Sequence, residues 1–339
     1  MTLQERINAF IKLGKRISLL ESQELDDLAR RVENGNSWFT RESVKNALDS
    51  LVLLLEEDAL HQWANKYPIQ DDVDSKEVGV MMAGNVPAVG FHDMMSVLIS
   101  GHKMHAKLSS TDEYLMRWIG NELILIDPRF ESVISFQDML KDKDAYIATG
   151  SDNSARYFDY YFGKYPHIIR KNRTSVAVLR GDETAEDYMA LGKDIFLYFG
   201  LGCRNISKLY INKIEQLQDF LGAIESYNSI IHHHKYRNNY DYNKSIYLVN
   251  QRPHLDNGFL LLTTDDNLVS PISVLYYELY EDQNDLESKL DTHQDKIQCV
   301  VSKDGRIAGS IPFGEAQCPG VQDYADDVDT MEFLISLYE

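Results

Sequence analysis

A cysteine that follows two closely spaced glycines is the residue in this sequence best suited to covalent chemistry. Cys203 ends the run Gly200-Leu201-Gly202-Cys203, after a long amphipathic segment and before the strand-like residues 207–211. Glycines let the backbone turn sharply and let a substrate approach closely, and a thiolate is a strong nucleophile. The alternative interpretation is a buried structural cysteine, because free cysteines often pack as small hydrophobic residues.

Two turns that follow apolar, strand-like segments contain further candidate groups. In residues 84–87 (Gly-Asn-Val-Pro), Asn85 could donate its amide N–H to a developing oxyanion, or it could simply support the turn. In residues 107–112 (Lys-Leu-Ser-Ser-Thr-Asp), Lys107 and the hydroxyl side chains suit a ribose or a phosphate group. An ordinary helix N-cap is the alternative for this second turn.

A third turn, residues 148–154 (Ala-Thr-Gly-Ser-Asp-Asn-Ser), leads from a strand-like segment into a helical one. Such glycine turns often bind nucleotides, although a plain strand-to-helix loop has the same composition. The chain lacks the Gly-x-Gly-x-x-Gly fingerprint of dinucleotide-binding folds, and the Gly200-Leu201-Gly202 run follows a helical pattern and not a strand.

The elements that position these groups follow from the hydrophobic periodicity. Residues 1 to about 66 have helical spacing, and after the acidic linker at 70–74 short apolar runs alternate with helical segments. This alternation starts again near residue 175. The strands are predicted at 78–83, 103–108, 145–149, 176–179, 208–211, 259–264, 272–279 and 297–301, and helices at 88–100, 111–120, from about 154, 185–199 and 215–231.

The pattern predicts an α/β fold with parallel sheets that have helices on both faces and bind ligands at the carboxyl ends of their strands. We expect four segments: a helical region at 1–75, a nucleotide-binding α/β domain at 76–175, a catalytic α/β domain at 176–310 that contains Cys203, and a C-terminal return segment at 311–339.

The composition narrows the functional classes. The 339 residues are 44% hydrophobic and have a formal net charge of −19, which argues against general nucleic-acid binding. No apolar run is long enough to cross a bilayer, and residues 1–6 contain no signal-peptide core. Three cysteines do not form a disulfide framework, so we expect a reducing, cytoplasmic location.

Taken together, the motifs resemble the aldehyde dehydrogenase superfamily, and more closely its acyl-CoA reductase branch, the fatty-acid reductase family known from bacterial luminescence. The order and approximate spacing hold from about residue 76 to 335. The matching segments are Gly84-Asn85-Val86-Pro87, Ser100-Gly101-His102-Lys103 with Lys107-Leu108-Ser109-Ser110, Thr149-Gly150-Ser151, Gly200-Leu201-Gly202-Cys203, residues 312–319 and residues 323–326.

The resemblance implies an aldehyde dehydrogenase-like fold with two Rossmann-like α/β domains. It implies that Cys203 is the nucleophile and that Asn85 forms an oxyanion hole with the Cys203 backbone N–H. It further implies a nicotinamide cofactor that contacts Lys107, Ser109, Ser110, Thr149, Gly150, Ser151, Pro312 and Phe313.

One departure from the superfamily concerns the base that activates water. Oxidising members have a Glu in a Glu-Leu-Gly-Gly segment, whereas the matching residues 169–174 (Ile-Arg-Lys-Asn-Arg-Thr) contain none. An acyl-enzyme without such a base is better suited to exchange with a thiol such as CoA, which favours reduction of acyl-CoA. Glu183 or Glu278 could still reach the site in the folded chain.

A second departure concerns cofactor choice. NAD-preferring relatives often have an acidic residue at the position of Ser110, where a carboxylate would repel a 2′-phosphate. The serine, with Lys103, His105 and Lys107 nearby, favours NADPH, with NADH also possible.

These observations predict an NAD(P)H-dependent enzyme that reduces an acyl-CoA, expected to be fatty, to an aldehyde through a thioester on Cys203. One alternative is an aldehyde dehydrogenase or an acyl transferase that uses the same cysteine. Another is a non-catalytic, nucleotide-binding partner of an acyl-activating enzyme. We expect an acyl-activating protein partner and self-association into a homo-oligomer. The helical region at 1–75 could cover the acyl tunnel or bind a partner.

Other reactive side chains are expected to be structural. Consecutive histidines on a helix point to different sides, so His232-His233-His234 is expected to be a solvated surface and not a metal site. Cys299 lies in a buried-strand pattern and should pack in the core, whereas Cys318 is a weaker second candidate for a reactive thiol.

Overall fold

The computed structural model describes residues 1–338, so the last residue of the predicted return segment, Glu339, lies outside the described residues. The chain divides into two compact units. The first unit contains Met1–Asn172 together with the segment from Pro319 onward, and the second contains Arg173–Cys318.

The α-helices are, in chain order, α1 (Leu3–Ser18), α2 (Ser22–Gly35), α3 (Arg41–Leu54), α4 (Glu57–Ala64), α5 (Phe91–Ile99), α6 (Glu113–Ile126), α7 (Asp152–Phe162), α8 (Ala185–Phe196), α9 (Gln216–Ala223), α10 (His234–Val249), α11 (Gln283–Thr292) and α12 (Thr330–Ile335). The strands are β1 (Glu77–Met81), β2 (Lys103–Lys107), β3 (Ile134–Phe136), β4 (Ala145–Thr149), β5 (His167–Arg170), β6 (Thr174–Leu179), β7 (Ile206–Ile211), β8 (Leu255–Asp256), β9 (Leu261–Thr264), β10 (Val274–Leu279), β11 (Ile297–Ser302) and β12 (Ile311–Pro312).

The α/β fold class is confirmed, and each predicted strand lies within two residues of an observed one. The short strands β3, β5, β8 and β12 were missed, because runs of two to four residues give no periodic signal. The helix predicted over 215–231 is also wrong in its second half, where α9 gives way to a 3₁₀ helix over Ile224–His232.

The N-terminal helices share one hydrophobic core with the first sheet. Helix α1 begins with a capping box, in which Thr2 and Glu5 satisfy each other's backbone N–H groups. Its fully buried Phe10 packs edge-to-face against Phe91 of α5 and Phe130, with ring centroids 6.2 Å apart in each pair. The helical region is therefore part of the first unit's own core.

The first sheet has the strand order β3-β2-β1-β4-β5, and its neighbouring strands are parallel. The chain moves from β1 through α5, β2 and α6 to β3, and then places β4 on the other side of β1. The strand order thus reverses between β1 and β4. In open α/β sheets, ligands bind at the carboxyl ends of the strands near such a reversal.

The second sheet has the strand order β12-β11-β6-β7-β10-β9-β8. Its strands pair in parallel except for β8 with β9. Every residue of β6 and β7 is buried, and Leu191 of α8 and Phe220 of α9 pack into the same core. The segment that contains Cys203 enters this sheet just before β7.

Candidate active site

The turn after β1 presents Asn85 to solvent and is packed tightly against the turn after β2. A Cβ atom on Gly84 would overlap the Thr111 hydroxyl oxygen and lie 2.6 Å from the Ser109 side chain, so only glycine fits. The Thr111 hydroxyl donates to the Gly84 carbonyl oxygen at 2.6 Å, and it also lies 2.8 Å from the Ser109 hydroxyl. Asn85 itself is exposed. These contacts join the two turns into one surface at the carboxyl edge of the first sheet.

A buried carboxyl group that sequence reasoning missed lies behind this surface. Asp112 is 2% exposed, and one carboxyl oxygen accepts a hydrogen bond of 2.8 Å from the backbone N–H of Ala88, a residue with a left-handed φ of 57°. Burial raises the pKa of Asp112 well above its usual value. The sequence suggested an N-cap here, but the Asp112 side chain does not cap α6 and instead holds the turn that follows Asn85.

A cavity of about 220 Å³ opens at the carboxyl ends of β2 and β3. Its lining residues are Lys107, Leu108, Ser110, Glu113, Arg117, Phe136, Gln137 and Asp138. Three predicted cofactor residues lie in the turn after β2. Lys107 and Ser110 line this cavity, whereas Ser109 is hydrogen-bonded to Thr111. Arg117 lies one helical turn after Glu113 in α6, and it was missed because an i, i+4 ion pair on a helix is typical of ordinary surfaces.

The third predicted turn follows β4. The Ser151 hydroxyl accepts a hydrogen bond of 3.2 Å from the backbone N–H of Ser154 and so caps α7. A Cβ atom on Gly150 would lie 2.9 Å from both Ser154 and Phe158, which explains the need for glycine. Thr149 is half-buried at the end of β4. This edge presents the start of a helix next to β1, the arrangement that suits a phosphate group.

Residues 169–174, which contain no Glu, include a buried arginine. Arg170, the last residue of β5, is 3% exposed and donates from one nitrogen to both carboxylate oxygens of Asp93, at 2.9 and 2.8 Å. Its other terminal nitrogen donates to the Thr330 hydroxyl at 2.6 Å. The guanidinium group thus joins β5 to α5 and α12, and it offers only N–H donors and no acceptor atom.

In the second unit, Cys203 follows a sharp reversal of the chain. Tyr198, Phe199 and Gly200 all have left-handed backbone angles, with φ of 54°, 58° and 76°. The helix predicted over 185–199 is therefore wrong at its end, since α8 stops at Phe196. Left-handed angles in non-glycine residues are strained and persist only where other contacts hold them.

Asn205 supplies these contacts. It is 2% exposed, and its amide donates to the carbonyl oxygens of Asp194 at 2.9 Å and Leu197 at 2.8 Å, at the end of α8. Its carbonyl oxygen accepts from the backbone N–H of Gly202 at 2.7 Å. One buried side chain therefore joins the helix end to the residue before Cys203.

Ser175 holds the same segment from the neighbouring strand. This fully buried residue of β6 donates to the Cys203 carbonyl oxygen at 3.0 Å. Its hydroxyl also accepts from the backbone N–H of Cys299 at 3.2 Å and lies 3.1 Å from the Cys299 sulfur. Cys203 and Cys299 are both half-buried, and Cys318 is exposed. Cys299 packs against the core but also shares the hydroxyl that positions the Cys203 segment.

The predicted cofactor residues Pro312 and Phe313 lie on a segment that Asp194 holds. Pro312 pairs with β11, and Phe313 is 8% exposed, with its ring in the core of the second unit. The fully buried Asp194 accepts from the backbone N–H groups of Gly314 at 2.6 Å and Ala316 at 3.1 Å, and burial raises its pKa to about 6.

The two candidate bases, Glu183 and Glu278, lie at the opposite end of the second sheet from Cys203. Cys203 precedes β7, whereas Glu183 follows the last residue of β6 and Glu278 pairs in register with Tyr210 near the end of β7. The Glu183 carboxylate accepts from two backbone N–H groups of its own turn.

Glu278 forms ion pairs with Lys208 at 2.5 Å and Lys289 at 2.8 Å. Burial acts to raise the pKa of Glu278, but these ammonium groups lower it below its usual value. Glu278 is thus a paired carboxylate in the second unit's sheet.

The sequence suggested that the three consecutive histidines share a helix, but in the structure they do not. His232 ends the 3₁₀ helix, α10 begins at His234, and the His233 ring lies 4.3 Å from the ring of Phe199. Within residues 1–338, no group of His, Cys, Asp and Glu side chains is arranged to hold a metal ion. Among the same residues, no helix has both the length and the apolar character that a membrane crossing requires.

Comparison with known proteins gives a family and a fold. The sequence profile of the acyl-CoA reductase (LuxC) family matches residues 8–226. A search of curated proteins found no significant match.

Solved structures with the same fold include aldehyde dehydrogenase 21 from Physcomitrella patens in complex with the reaction product succinate, with a TM-score of 0.68, 10% identity, and coverage of 99% of this chain and 84% of that one. HpcC from Thermus thermophilus gives a TM-score of 0.64 with 14% identity, covering 89% of this chain and 70% of that one. A Mycobacterium tuberculosis aldehyde dehydrogenase complexed with NAD+ gives a TM-score of 0.62 with 12% identity, covering 89% of this chain and 73% of that one.

Proposed function

The chain belongs to the LuxC family of acyl-CoA reductases, and from that premise we propose that it reduces an acyl-CoA to an aldehyde through a thioester on Cys203. The observation that supports Cys203 is its setting: a half-buried thiol after three left-handed residues, in a segment held by Asn205 and Ser175. Strained backbone that several contacts maintain is typical of functional sites.

In the first half of the reaction, the Cys203 thiolate attacks the thioester carbonyl carbon of the acyl-CoA. The amide N–H of Asn85 and the backbone N–H of Cys203 donate to the oxyanion, and the CoA thiolate leaves. This role of Asn85 rests on the match of residues 84–87 to the family's turn and on the exposure of Asn85 at the carboxyl edge of the first sheet.

In the second half, the acyl carbon of the Cys203 thioester would accept a hydride, which a nicotinamide nucleotide would supply when bound. The thiohemiacetal on Cys203 then collapses to the aldehyde and regenerates the thiolate. The first unit fits such a nucleotide, because its parallel sheet has glycine turns, a capped helix start and a cavity with basic side chains at one edge. We propose that Lys107, Ser110 and the 149–151 turn contribute to this site, together with Ser109, Pro312 and Phe313. NADPH is the proposed cofactor, with NADH second.

The acyl-enzyme is expected to react with thiols and hydride in preference to water. We propose that residues 169–174 match the segment in which oxidising relatives have their base, and in this segment Arg170 is paired with Asp93. Glu183 and Glu278 lie at the far end of the strands from Cys203. This arrangement favours the reductase over an aldehyde dehydrogenase.

The test is NADPH oxidation, followed by absorbance, with acyl-CoAs of increasing chain length and with the Cys203→Ala variant. We expect turnover that requires Cys203, with Cys318→Ala as the matched control because Cys318 is exposed. Full turnover in Cys203→Ala would refute the assignment. CoA release without NADPH oxidation would indicate an acyl transferase, and nucleotide binding with neither reaction would indicate a non-catalytic partner.

We also propose a fatty acyl substrate, a cytoplasmic location, an acyl-activating protein partner and a homo-oligomer. The chain-length panel tests the substrate. Sedimentation of the purified chain tests self-association, and a cell extract that stimulates aldehyde formation from a free fatty acid tests the partner.

A further inference from the structure

The carboxylate of Asp194 makes contacts to which the reaction above assigns no role. It is fully buried near the end of α8 and accepts from the backbone N–H groups of Gly314 at 2.6 Å and Ala316 at 3.1 Å. Gly314 has a left-handed φ of 86°, and a Cβ atom on it would lie 3.3 Å from the Cβ atom of Ala190 on α8. The carboxylate therefore holds residues 312–316 closely against α8.

Two further hydrogen bonds connect this segment to the nucleophile. The Asn205 amide donates to the backbone carbonyl oxygen of Asp194 at 2.9 Å. Arg204, the residue directly after Cys203, donates from Nη1 to the Ala316 carbonyl oxygen at 3.3 Å. Asp194 thus contacts one segment through its backbone and the other through its side chain. A change confined to its carboxyl group should weaken the second contact and leave the first in place.

Only an ionised carboxyl group can accept both backbone N–H groups at full strength. An asparagine amide and a protonated acid each carry an N–H or O–H donor, which would face one of the two backbone donors. Burial opposes the charge and raises the pKa of Asp194 to about 6, so the group is mainly ionised at neutral pH, at a cost in stability. Buried ionisable groups with shifted pKa values are enriched at functional sites. The carboxylate is therefore a candidate for a role beyond folding.

The charged and titratable groups around Asp194 come from several elements. Burial has the largest effect on the pKa of Asp194, the two backbone N–H groups and Lys193 of α8 lower it, and Glu315 raises it. Tyr227 faces Asp194 from the 3₁₀ helix, and burial and the Asp194 charge both raise the pKa of this tyrosine. Arg204 contacts the same segment through a backbone carbonyl group. Protonation of Asp194 would replace one acceptor oxygen by a donor and so weaken its hold on the segment.

We propose that Asp194 is a positioning residue for the second half of the reaction, because its carboxylate holds the segment of Pro312 and Phe313 in place relative to Cys203. The proposal deepens the proposed function and rests on it, since these two residues are proposed to contact the nicotinamide. Hydride transfer depends steeply on the placement of the reacting atoms, so a segment that is held less firmly should slow this step. Attack on the thioester should not change, because the other contacts to the Cys203 segment remain.

The test separates the two halves of the reaction in the full chain with Asp194→Asn. CoA release without nucleotide measures acylation, and NADPH oxidation by the preformed acyl-enzyme in a single turnover measures hydride transfer. At about pH 7.5, we expect CoA release within about twofold of the wild type and hydride transfer about tenfold slower or more, because one hydrogen bond to the segment is lost. Glu315→Gln, at an exposed position of the same segment, is the matched control and should leave both rates unchanged.

The pH dependence and hydrogen exchange add readouts that a merely structural role would not change in this way. The ratio of wild-type to Asp194→Asn hydride-transfer rates should fall towards one below about pH 6, where the wild-type carboxyl group is protonated. The same ratio for CoA release should stay near one at every pH, since the titration of Cys203 cancels in it. Above about pH 6, backbone exchange in residues 312–317 should be faster in Asp194→Asn, with exchange in residues 200–205 unchanged.

Equal hydride-transfer rates in the wild type and Asp194→Asn at about pH 7.5, an equal loss of CoA release, or a rate ratio that is independent of pH overturns the proposal. If Asp194→Asn does not fold, the wild-type acyl-enzyme decides, and a hydride-transfer rate that does not fall as the pH drops through about 6 overturns it. Wild-type turnover with equal rates in the variant refutes only this role of Asp194. A wild type that releases CoA but never oxidises a nicotinamide nucleotide refutes the proposed function, and this proposal with it.

Discussion

The two candidate regions of this chain are built in different ways. At the carboxyl edge of the first sheet, the groups of interest directly follow strands: Asn85 after β1, Lys107 at the end of β2, and Ser151 after β4. The nucleophile segment precedes β7 and so lies at the amino edge of the second sheet. Its position depends on the buried side chain of Ser175 in β6 and on that of Asn205, which immediately precedes β7 and binds backbone carbonyl groups at the end of α8.

This difference shows where function is sensitive to distant residues. A strand-end turn is positioned by the sheet's own backbone pairing, so its side chains can vary locally. The Cys203 segment has left-handed angles that local sequence does not favour, so its geometry depends on Asn205 and Ser175. Substitutions at the amino edge of the second sheet should therefore act by removing buried hydrogen bonds. Substitutions at the carboxyl edge of the first sheet should act by disturbing close packing.

The largest effect is expected for Asn205→Ala. The variant leaves the Gly202 N–H and two carbonyl oxygens at the end of α8 without this partner, which should lower the free energy of unfolding by about 2–4 kcal/mol. Loss of the Cys203 geometry should slow acylation about 100-fold or more. Urea unfolding and CoA release measure the two effects. Asn212→Ala, at the opposite edge of the same sheet, is the control. Equal acylation rates in the two variants would mean that Asn205 has no special role in holding the Cys203 segment.

Asp194→Asn should change the pH dependence of stability. Burial raises the pKa of Asp194 to about 6, so the folded state binds this proton more tightly than the unfolded state does. The contribution of this proton to the free energy of unfolding is fully present below the ordinary Asp pKa. It is lost as the pH rises through about 6. Relative to Asp194→Asn, the wild type should lose about 2–3 kcal/mol of unfolding free energy between about pH 4 and pH 7.

Asp127→Asn provides a control of opposite sign. The hydrogen bond from Arg129 lowers the pKa of Asp127, so its contribution is lost as the pH falls. Chemical denaturation across this pH range measures both differences. The difference in unfolding free energy between the wild type and Asp194→Asn could prove independent of pH. Asp194 would then not titrate as a buried group.

Gly84→Ala tests close packing at the carboxyl edge. The added methyl group would meet Thr111 and Ser109 well inside van der Waals contact, so the two turns must separate. We expect a loss of about 1–3 kcal/mol in unfolding free energy and weaker nucleotide binding, with the Cys203 alkylation rate unchanged. Gly222→Ala, where a Cβ meets no atom within 4 Å, is the matched control. Slower alkylation in Gly84→Ala would show that the regions are not independent.

Ser175→Ala should have the smallest effect. It removes one hydroxyl from between the Cys203 carbonyl and Cys299, which should slow Cys203 alkylation about fivefold and make Cys299 more reactive. Peptide mass mapping after timed iodoacetamide treatment measures both thiols. Ser245→Ala, an exposed serine bonded to its own helix, should react as the wild type does. Unchanged alkylation rates at Cys203 and Cys299 in Ser175→Ala would mean that Ser175 does not help to hold the Cys203 segment.

Sequence reasoning predicted the fold class and eight of the twelve strands, because buried strands give continuous apolar runs, whereas the short strands β3, β5, β8 and β12 do not. It also singled out Lys107 and Ser110, which line one cavity. It missed Asp112 and Arg117, since an acidic residue before a helix and a charged pair along it are common on surfaces without function.

The sequence by itself determined the alternation of strands and helices and the turns that end β1, β2 and β4, because these depend on periodicity and on residues next to one another. Only the tertiary structure decided how Cys203 is held and how Asp194 holds the segment after Phe313. The hydroxyl of Ser175 meets a carbonyl 28 positions away and a thiol 124 positions away, and Asp194 meets N–H groups 120 and 122 positions away. Such contacts leave no local pattern, since they form only when sheet pairing brings distant segments together.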